Sequence, residues 1–382
     1  MGNFQHLMKP CYMISFLLTI MTLISSGQYG ASLKASGMQN PPPVKIGILI
    51  TDSTSLAAVN GALMAINKAN EYGGIDGRPL QLVIRSMEGP WGTGSKQAVG
   101  LIFEEKVWAL MGSHDGRNAH TVEQAATKSI VPMVSAWSSD PTLTQAFVPW
   151  FFNCIPTDKQ QAESLSEEIF HKRKLNSVIV VTDRNNYDSR MASDFFLKKI
   201  ALDKHPEPKV IDSGVQGRKN DALVDEILKS DPGCLVLFSS PPTSAGIMKT
   251  LKQKRVSIPV YGSLLTLDEN FLSSAEIKYF DDVYRVPSGQ WQNEEWNSFR
   301  REYELKFGKM PGMAAVYSYD AANVLINAFK KTRSADREMI QKALEETNLK
   351  GITGPISFDE NGNRNGSFGI LKIRNGVPGA PL

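Results

Sequence analysis

Short apolar runs and longer amphipathic stretches alternate along most of the chain. The run VKIGILI, which starts at Val44, is rich in β-branched residues and is typical of a strand buried on both faces. The next stretch has apolar residues at the spacing of a helix, at Leu56, Val59, Leu63 and Ile66. A Gly-Gly pair then marks the end of the predicted helix. Because strand and helix continue to alternate, the pattern predicts parallel sheets covered by helices.

The alternation restarts after Pro156, which indicates two α/β units. Three further helices follow the second unit, and the final segment GPISFDENGNRNGSFGILKIRNG is typical of a hairpin around a Gly/Asn turn. A hairpin this late has to pack on an existing sheet, so we expect the chain to cross between the units more than once. The predicted lobes are residues 44–155 with 285–350, and residues 156–284 with 351–382.

The N-terminus differs from the rest of the chain. Lys9 precedes an apolar run, Cys11 to Ile24, that is shorter than the roughly 20 residues of a membrane-spanning helix. Small residues follow it, so we predict a secretory signal peptide over residues 1–31 and a flexible lead-in over 32–43. An uncleaved membrane anchor is the alternative. After cleavage we expect a periplasmic or otherwise secreted protein without membrane insertion.

Composition and charge narrow the class of protein. Of the 382 residues, 42% are hydrophobic and 21% are charged, which is ordinary for a soluble globular protein. A formal net charge of +3 argues against a dedicated nucleic-acid binder. Beyond the leader only Cys154 and Cys234 remain. An oxidising compartment permits a disulfide between them, but their apolar neighbours suit buried free thiols equally well.

Two glycine-rich patterns fail as nucleotide-binding motifs. In GPWGTGSKQ, Gly94 is followed by Ser95 and then Lys96, whereas a phosphate-binding loop needs Lys directly after the glycine. The dinucleotide pattern fails as well, because Gln97 stands where its last glycine is needed. We therefore predict no cofactor.

The histidines predict neither a metal site nor a catalytic triad. Beyond the leader they are scattered over different elements, at His114, His120, His171 and His205. His114 and His120 have no obvious third ligand, and the pairing of His114 with Asp115 is only sequence adjacency.

Polar and aromatic residues gather where the predicted strands end. In parallel α/β sheets ligands bind beyond the carboxyl ends of the strands, beside helix N-termini. If the lobes close on each other, seven such ends would share one cleft: Thr51–Ser55, Glu88–Thr93, Ser113–Arg117, Trp137–Asp140, Asp183–Tyr187, Ser239–Ser240 and Ser263–Leu264.

Several segments together resemble one family. They are VKIGIL with GALMAINKANEYGGIDGRPLQLVI, IVPMVSAWSSDPTLT, FFNCIPTDKQQAESL, VVTDRNNYDSRMA and GPISFDENGNRNG. Their order and spacing over residues 44–376 resemble type I periplasmic substrate-binding proteins, the branched-chain amino-acid binding family of ABC transporters. The resemblance implies an α/β fold of two Rossmann-like lobes, with parallel sheets flanked by helices and a multi-strand hinge. It also implies binding without catalysis.

The resemblance also implies where the ligand is held. In that family a polar residue after the third strand and Ser or Thr after the fourth hold the carboxylate and amino group, and a tyrosine of the second lobe covers the ligand. Carried over by position, these roles fall on Asp115 to Arg117, on Ser138 and Ser139, and on Tyr187. With further residues from the strand ends, the whole candidate set is Trp91, His114, Asp115, Gly116, Arg117, Trp137, Ser138, Ser139, Asn185, Tyr187 and Ser263. Relatives often place an acid for the ligand ammonium where this chain has Leu264, and Asp115 could replace it.

Each candidate also has a purely structural alternative. Trp91 and Trp137 offer flat apolar faces for a planar ligand, or they pack a loop on a helix. Arg117 could pair with Asp115, and the two serines could cap a turn.

The predicted function is an extracytoplasmic solute-binding protein of an ABC importer. Its partners would be a membrane permease and a small polar or aromatic ligand, either amino-acid-like or an organic acid or amide. A sensor subunit that presents the bound state to a receptor or kinase is the first alternative. A hydrolase on the same scaffold is the second.

Overall fold

The computed structural model describes residues 41–113, 116–145, 149–285, 294–366, 368–374 and 376–381. The predicted signal peptide and most of the lead-in lie outside these residues, as do His114 and Asp115.

Strands account for two large sheets and one small one. Their bounds are β1 (Val44–Ile50), β2 (Leu80–Ser86), β3 (Ala109–Ser113), β4 (Met133–Ser135), β5 (Phe151–Asn153), β6 (Val178–Thr182), β7 (Lys209–Asp212), β8 (Cys234–Leu237), β9 (Val260–Gly262), β10 (Tyr284–Arg285), β11 (Leu349–Gly351), β12 (Gly354–Ile356), β13 (Leu371–Arg374) and β14 (Val377–Pro381).

Helices alternate with these strands. Their bounds are α1 (Leu56–Glu71), α2 (Thr93–Val99), α3 (Gly116–Lys128), α4 (Thr142–Gln145), α5 (Asp158–Ser166), α6 (Tyr187–Leu202), α7 (Asn220–Leu228), α8 (Pro241–Gln253), α9 (Ser274–Ile277), α10 (Glu294–Phe307), α11 (Met313–Thr332) and α12 (Arg337–Glu345). Helices α2 and α5 each continue into a π-helical turn, Gly100–Glu104 and Glu167–Lys172.

The first sheet has the order β2-β1-β3-β4-β5, and all of its strands are parallel. Its apolar strand residues pack against α1, α11 and α12 on one face and against α2 and α3 on the other. The predicted α/β fold class is therefore confirmed. Strand β5 was not predicted, because its three residues are too few to show a period.

The second sheet has the order β14-β13-β10-β9-β8-β6-β7. Strands β6 to β10 are parallel, and β13 and β14 add an antiparallel edge. Helices α7 and α8 pack on one face, and α5 and α6 pack on the other.

The predicted C-terminal hairpin is wrong in its pairing. Strand β12 pairs with β11, and β13 pairs with β14 and β10, so the two halves of the expected hairpin belong to different sheets. Between them, Phe358 and Arg364 form a single antiparallel bridge. The turn closes locally because the Asp359 carboxylate accepts hydrogen bonds from the backbone of Asn361 and Asn363, at 2.9 and 2.8 Å.

The chain passes between the sheets after β5, after β10 and between β12 and β13. At the first and third passages Arg364 joins the strands. Its buried guanidinium donates to the carbonyl oxygens of Cys154 and Thr353, each at 2.9 Å. Ile356 and Phe358 pack in the core beside the first sheet, whereas Ile373 packs beside the second. The lobe boundaries given above stay a prediction.

Cys154 and Cys234 are both buried and both free thiols. Burial raises the pKa of each thiol to about 12. No helix in the described ranges is long and apolar enough to cross a membrane.

Candidate ligand-binding cleft

The carboxyl ends of both sheets border one cavity of about 490 Å³. Loops after β1, β3 and β4 line it from the first sheet, and loops after β6, β8 and β9 line it from the second. Doubly wound α/β folds bind their ligands in cavities at this position, beyond the carboxyl ends of the strands.

Seven of the sequence-predicted residues line this cavity: Gly116, Arg117, Trp137, Ser138, Ser139, Asn185 and Tyr187. Trp91 is not among the lining residues; it is 69% exposed, and the Arg117 guanidinium lies 4.7 Å from the centre of its ring. Ser263 is buried beside the lining residue Leu264. The role of each residue in binding stays a prediction.

The two serines after β4 are held differently. Ser138 is only 2% exposed, and its hydroxyl has no hydrogen-bond partner among the residues that the structure describes. Ser139 donates to the Asp158 carboxylate at 2.7 Å. The following turn is capped by Asp140, which accepts from the Thr142 backbone at 2.8 Å. Ser138 therefore presents a buried hydroxyl that a ligand can satisfy.

Hydrogen bonds cross the cleft at the start of α6, and a further one, from the Ala57 backbone N–H to Asn270 Oδ1 at 2.9 Å, crosses it elsewhere. The backbone N–H of Gly116, the first residue of α3, donates to Asp188 Oδ1 at 2.9 Å. The Tyr187 hydroxyl donates to Asp140 Oδ2 at 2.7 Å. A Cβ atom on residue 116 would lie 2.9 Å from the Cβ of Asp140 and 3.0 Å from Asp188 Oδ1, so glycine permits this approach.

Asp140 is the electrostatic centre of this contact. Burial alone raises the pKa of Asp140, but hydrogen bonds from His120, Thr142 and Tyr187 outweigh it and lower that pKa to about 2. The bond from His120 Nε2 is 3.0 Å long, and it raises the pKa of His120. His120 and Asp140 form an ion pair, and the pair lies at the junction between the two sheets because Tyr187 of the second sheet's side bonds to the same carboxylate.

Further carboxyl groups at the cleft were not predicted. Asp188 and Asp268 line the cavity, and Asp158 lies behind Ser139. Burial raises the pKa of Asp158 well above its usual range. Burial, together with the neighbouring Glu269, also raises the pKa of Asp268. Asp268 lies four residues after Leu264, in the same loop.

The sequence pattern could have pointed to Asp188 but not to Asp268. Asp188 is the second residue of a helix that follows a strand end. Residues at such helix starts are expected to line the cleft, because ligands of parallel α/β sheets bind there. Asp268 lies in an irregular loop with no pattern. Its loop is fixed by the fully buried Arg285, which donates to the carbonyl oxygens of Ser263 at 3.0 Å and Leu267 at 2.9 Å.

Apolar groups complete the wall of the cavity. Trp137 packs edge-on against Tyr317, with ring centroids 6.1 Å apart. Leu264, Phe271 and Pro241 line the side of the second sheet. The cavity therefore offers both apolar surface and a few placed polar groups, as small-molecule sites do.

Two α/β sheets whose strand ends border a shared cavity are the architecture of a two-lobed solute-binding protein. The chain belongs to the periplasmic binding protein family, whose model matches residues 43–376. The predicted family is thus confirmed. Members of this family are binding proteins, and its name indicates an extracytoplasmic location.

Three known proteins illustrate the similarity. The leucine-, isoleucine-, valine-, threonine- and alanine-binding protein of Pseudomonas aeruginosa is 22% identical over 306 residues, 79% of this chain and 80% of that protein. A leucine-binding protein of Thermotoga maritima is 21% identical with a TM-score of 0.75, over 89% of this chain and 98% of that one. An ABC-transporter solute-binding protein of Rhodopseudomonas palustris in complex with 3,4-dihydroxybenzoic acid is 20% identical with a TM-score of 0.76, over 89% and 97%.

Proposed function

We propose that this chain is an extracytoplasmic solute-binding protein that delivers a small ligand to the membrane permease of an ABC importer, without catalysis. The cavity carries the proposal, because polar groups from both sheets converge there around the buried Ser138 hydroxyl, which has no hydrogen-bond partner among the described residues. Family membership supports the same role. Residues 1–31 would serve as the export signal.

We infer that the ligand is amino-acid-like. A buried carboxylate whose pKa is raised by desolvation gains from a cation beside it, so Asp268 suits the ligand ammonium. The Ser138 hydroxyl suits the ligand carboxylate, and Trp137 and Leu264 suit an apolar side chain. Asp188, which accepts a hydrogen bond from the Gly116 N–H, is a second carboxyl group that lines the cavity together with Asp268.

An aromatic carboxylate is the second candidate. The Rhodopseudomonas relative was solved with such a ligand, and the flat faces of Trp137 and Tyr187 border the cavity here. Arg117, which also lines the cavity, would then supply the positive charge.

Matched ligand sets distinguish the two candidates. Phenylalanine would be compared with 3-phenylpropanoate, which lacks the ammonium, and with 2-phenylethylamine, which lacks the carboxylate; leucine would be compared with its two analogues in the same way. We expect only the amino acids to raise the melting temperature strongly, because a ligand that binds the folded state stabilises it. Stabilisation by the ammonium-free acids alone would favour the second candidate.

The Asp268→Asn variant tests the ammonium contact. We expect its affinity for the amino acid to fall by about tenfold to a hundredfold in calorimetry, the usual loss for one charge-assisted hydrogen bond. Asp225→Asn, which removes an exposed carboxylate of the same lobe, is the matched control and should bind as the wild type does. Unchanged affinity in Asp268→Asn would exclude Asp268 from the site.

A further inference from the structure

A second group of ligand-forming side chains lies away from the cleft, at the other end of α6. Donor atoms of His171, Asp203 and His205 all lie within 4.8 Å of one another. Helix α6 has 16 residues and begins at Tyr187, so its rise of 1.5 Å per residue puts roughly 24 Å between this cluster and the cleft.

Local structure fixes two of these three residues. Asp203 caps the C-terminus of α6, and Lys204 has a left-handed φ of 59°. The backbone N–H of His205 then donates to the carbonyl of Ile200 at 3.1 Å, which closes a Schellman turn. The capping motif therefore holds the Asp203 and His205 side chains side by side.

The third residue comes from the neighbouring helix. His171 lies in the π-helical turn that continues α5, and α5 and α6 pack on the same face of the second sheet. The rings of His171 and His205 are 5.0 Å apart, and the His205 ring stacks on Phe170 at 4.3 Å. Stacking orients the His205 imidazole before any ligand arrives.

One atom in the cluster lacks a partner. His205 Nε2 is buried, and within the described part of the chain no hydrogen bond reaches it. It faces Asp203 Oδ2 at 3.9 Å. A buried imidazole nitrogen without a partner is costly, and a metal ion would satisfy it.

We propose that His171, Asp203 and His205 form a site for a divalent transition-metal ion, with Zn²⁺ as its best fit. Two imidazoles and a carboxylate are ligands that Zn²⁺ prefers, and a solvent molecule can complete the tetrahedron. With bonds of about 2.0 to 2.1 Å, tetrahedral ligand atoms lie roughly 3.3 Å apart. The donor atoms, which lie within 4.8 Å of one another, have to move closer together to reach that spacing.

Lys199 competes with the metal. Its ammonium group donates to Asp203 Oδ1 at 2.9 Å and lowers the pKa of that carboxyl group. Asp203 Oδ2 faces His205 and also accepts a hydrogen bond from Ser166 at 3.2 Å. Because Lys199 adds a positive charge beside the site, its removal should strengthen metal binding.

The test is a calorimetric titration of tag-free protein with Zn²⁺. We expect one ion per chain and no comparable binding of Mg²⁺. His171→Gln and His205→Gln should each weaken binding by at least about tenfold. His171 is exposed, so the His171 variant keeps the fold intact.

Two further variants sharpen the result. Lys199→Gln should bind Zn²⁺ more tightly than the wild type, which a general loss of structure would not cause. Asp225→Asn, an exposed carboxylate of the same lobe, should leave Zn²⁺ binding unchanged. Wild-type affinity in both histidine variants, or equal binding of Mg²⁺, would overturn the proposal. Because the cluster lies outside the cleft, this outcome would leave the proposed solute-binding function untouched.

Discussion

At the scale of single residues, the cleft is organised around one ion pair. His120 and Asp140 lie 3.0 Å apart, and the Asp140 side chain is almost fully buried. Tyr187 reaches the same carboxylate from the other sheet. The pair therefore contributes both to folding and to the junction of the sheets.

The pair gives stability a defined pH window. The pKa of Asp140 is depressed to about 2, so its contribution is present above its unfolded pKa near 3.8 and is lost as the pH falls through 2. The pKa of His120 is raised, so its contribution is full below 6.5 and is lost as the pH rises through the folded value. Both contributions coexist between those two unfolded pKa values.

Urea unfolding across this range tests the pair. The Asp140 shift corresponds to about 2 kcal/mol at most. We expect the stability advantage of the wild type over His120→Gln to be largest at mildly acidic pH and to shrink above pH 6.5. An advantage of constant size from acidic to alkaline pH would contradict the ion pair.

The residues that sequence could locate follow one rule. Parallel strands bring their carboxyl ends to one edge, and this rule together with the family resemblance predicted seven residues that line the cavity, Ser138 and Tyr187 among them. The rule does not reach Asp268, whose loop is shaped by a distant arginine, nor the pairing of His171 with His205, which depends on how two helices pack.

At the scale of elements, the helices α1 and α11, which pack on the same face of the first sheet, approach each other closely at Gly61. A Cβ atom on Gly61 would lie 1.9 Å from the carbonyl oxygen of Ala315. The two helix backbones therefore approach closely enough that only glycine fits. Alanine residues along both helices extend the contact, as at Ala62 and Ala322.

The Gly61→Ala variant should separate these helices. We expect the free energy of unfolding to fall by about 1 to 3 kcal/mol, the usual cost of overpacking, despite the better helix propensity of alanine. Gly100→Ala is the control, because its Cβ would meet nothing closer than Glu104 Oε2 at 3.8 Å. Equal stabilities of the two variants in urea unfolding would show that α1 can shift at little cost.

Elements with a clear period were predictable, and those defined by partners were not. The apolar pattern located β1 and α1, because burial repeats along their length. Strand β5 depends on hydrogen bonds to β4, and the pairing of β13 with β10 joins residues that are far apart in the sequence, so no local pattern marks either of them.

At the scale of the whole molecule, two of the hydrogen bonds that cross the cleft link the sheets on the side of α3 and α6. Both begin on α6, at Tyr187 and Asp188. We expect the family's hinge motion to break them when the cleft opens.

The Tyr187→Phe variant removes one of these bonds and keeps the ring. Without the hydroxyl, the closed form loses about 1 kcal/mol, so the ligand-free variant should be more open. X-ray scattering should then give a larger radius of gyration than for the wild type, and saturating ligand should reduce the difference. Tyr72→Phe, at a tyrosine that is 78% exposed, is the control. Identical scattering curves for all three proteins would count against the bond as a closing contact.

The three passages of the chain between the sheets also govern how the molecule can be assembled. Helices α11 and α12 pack on the first sheet, and β13 and β14 form one edge of the second sheet. Both sheets are therefore completed by segments that lie beyond residue 312. A fragment that ends at β5 would leave the apolar face of α1 bare, and one that ends before β13 would leave β10 as an open edge. The two sheets are therefore not separable in sequence, and we expect folding to require nearly the whole polypeptide.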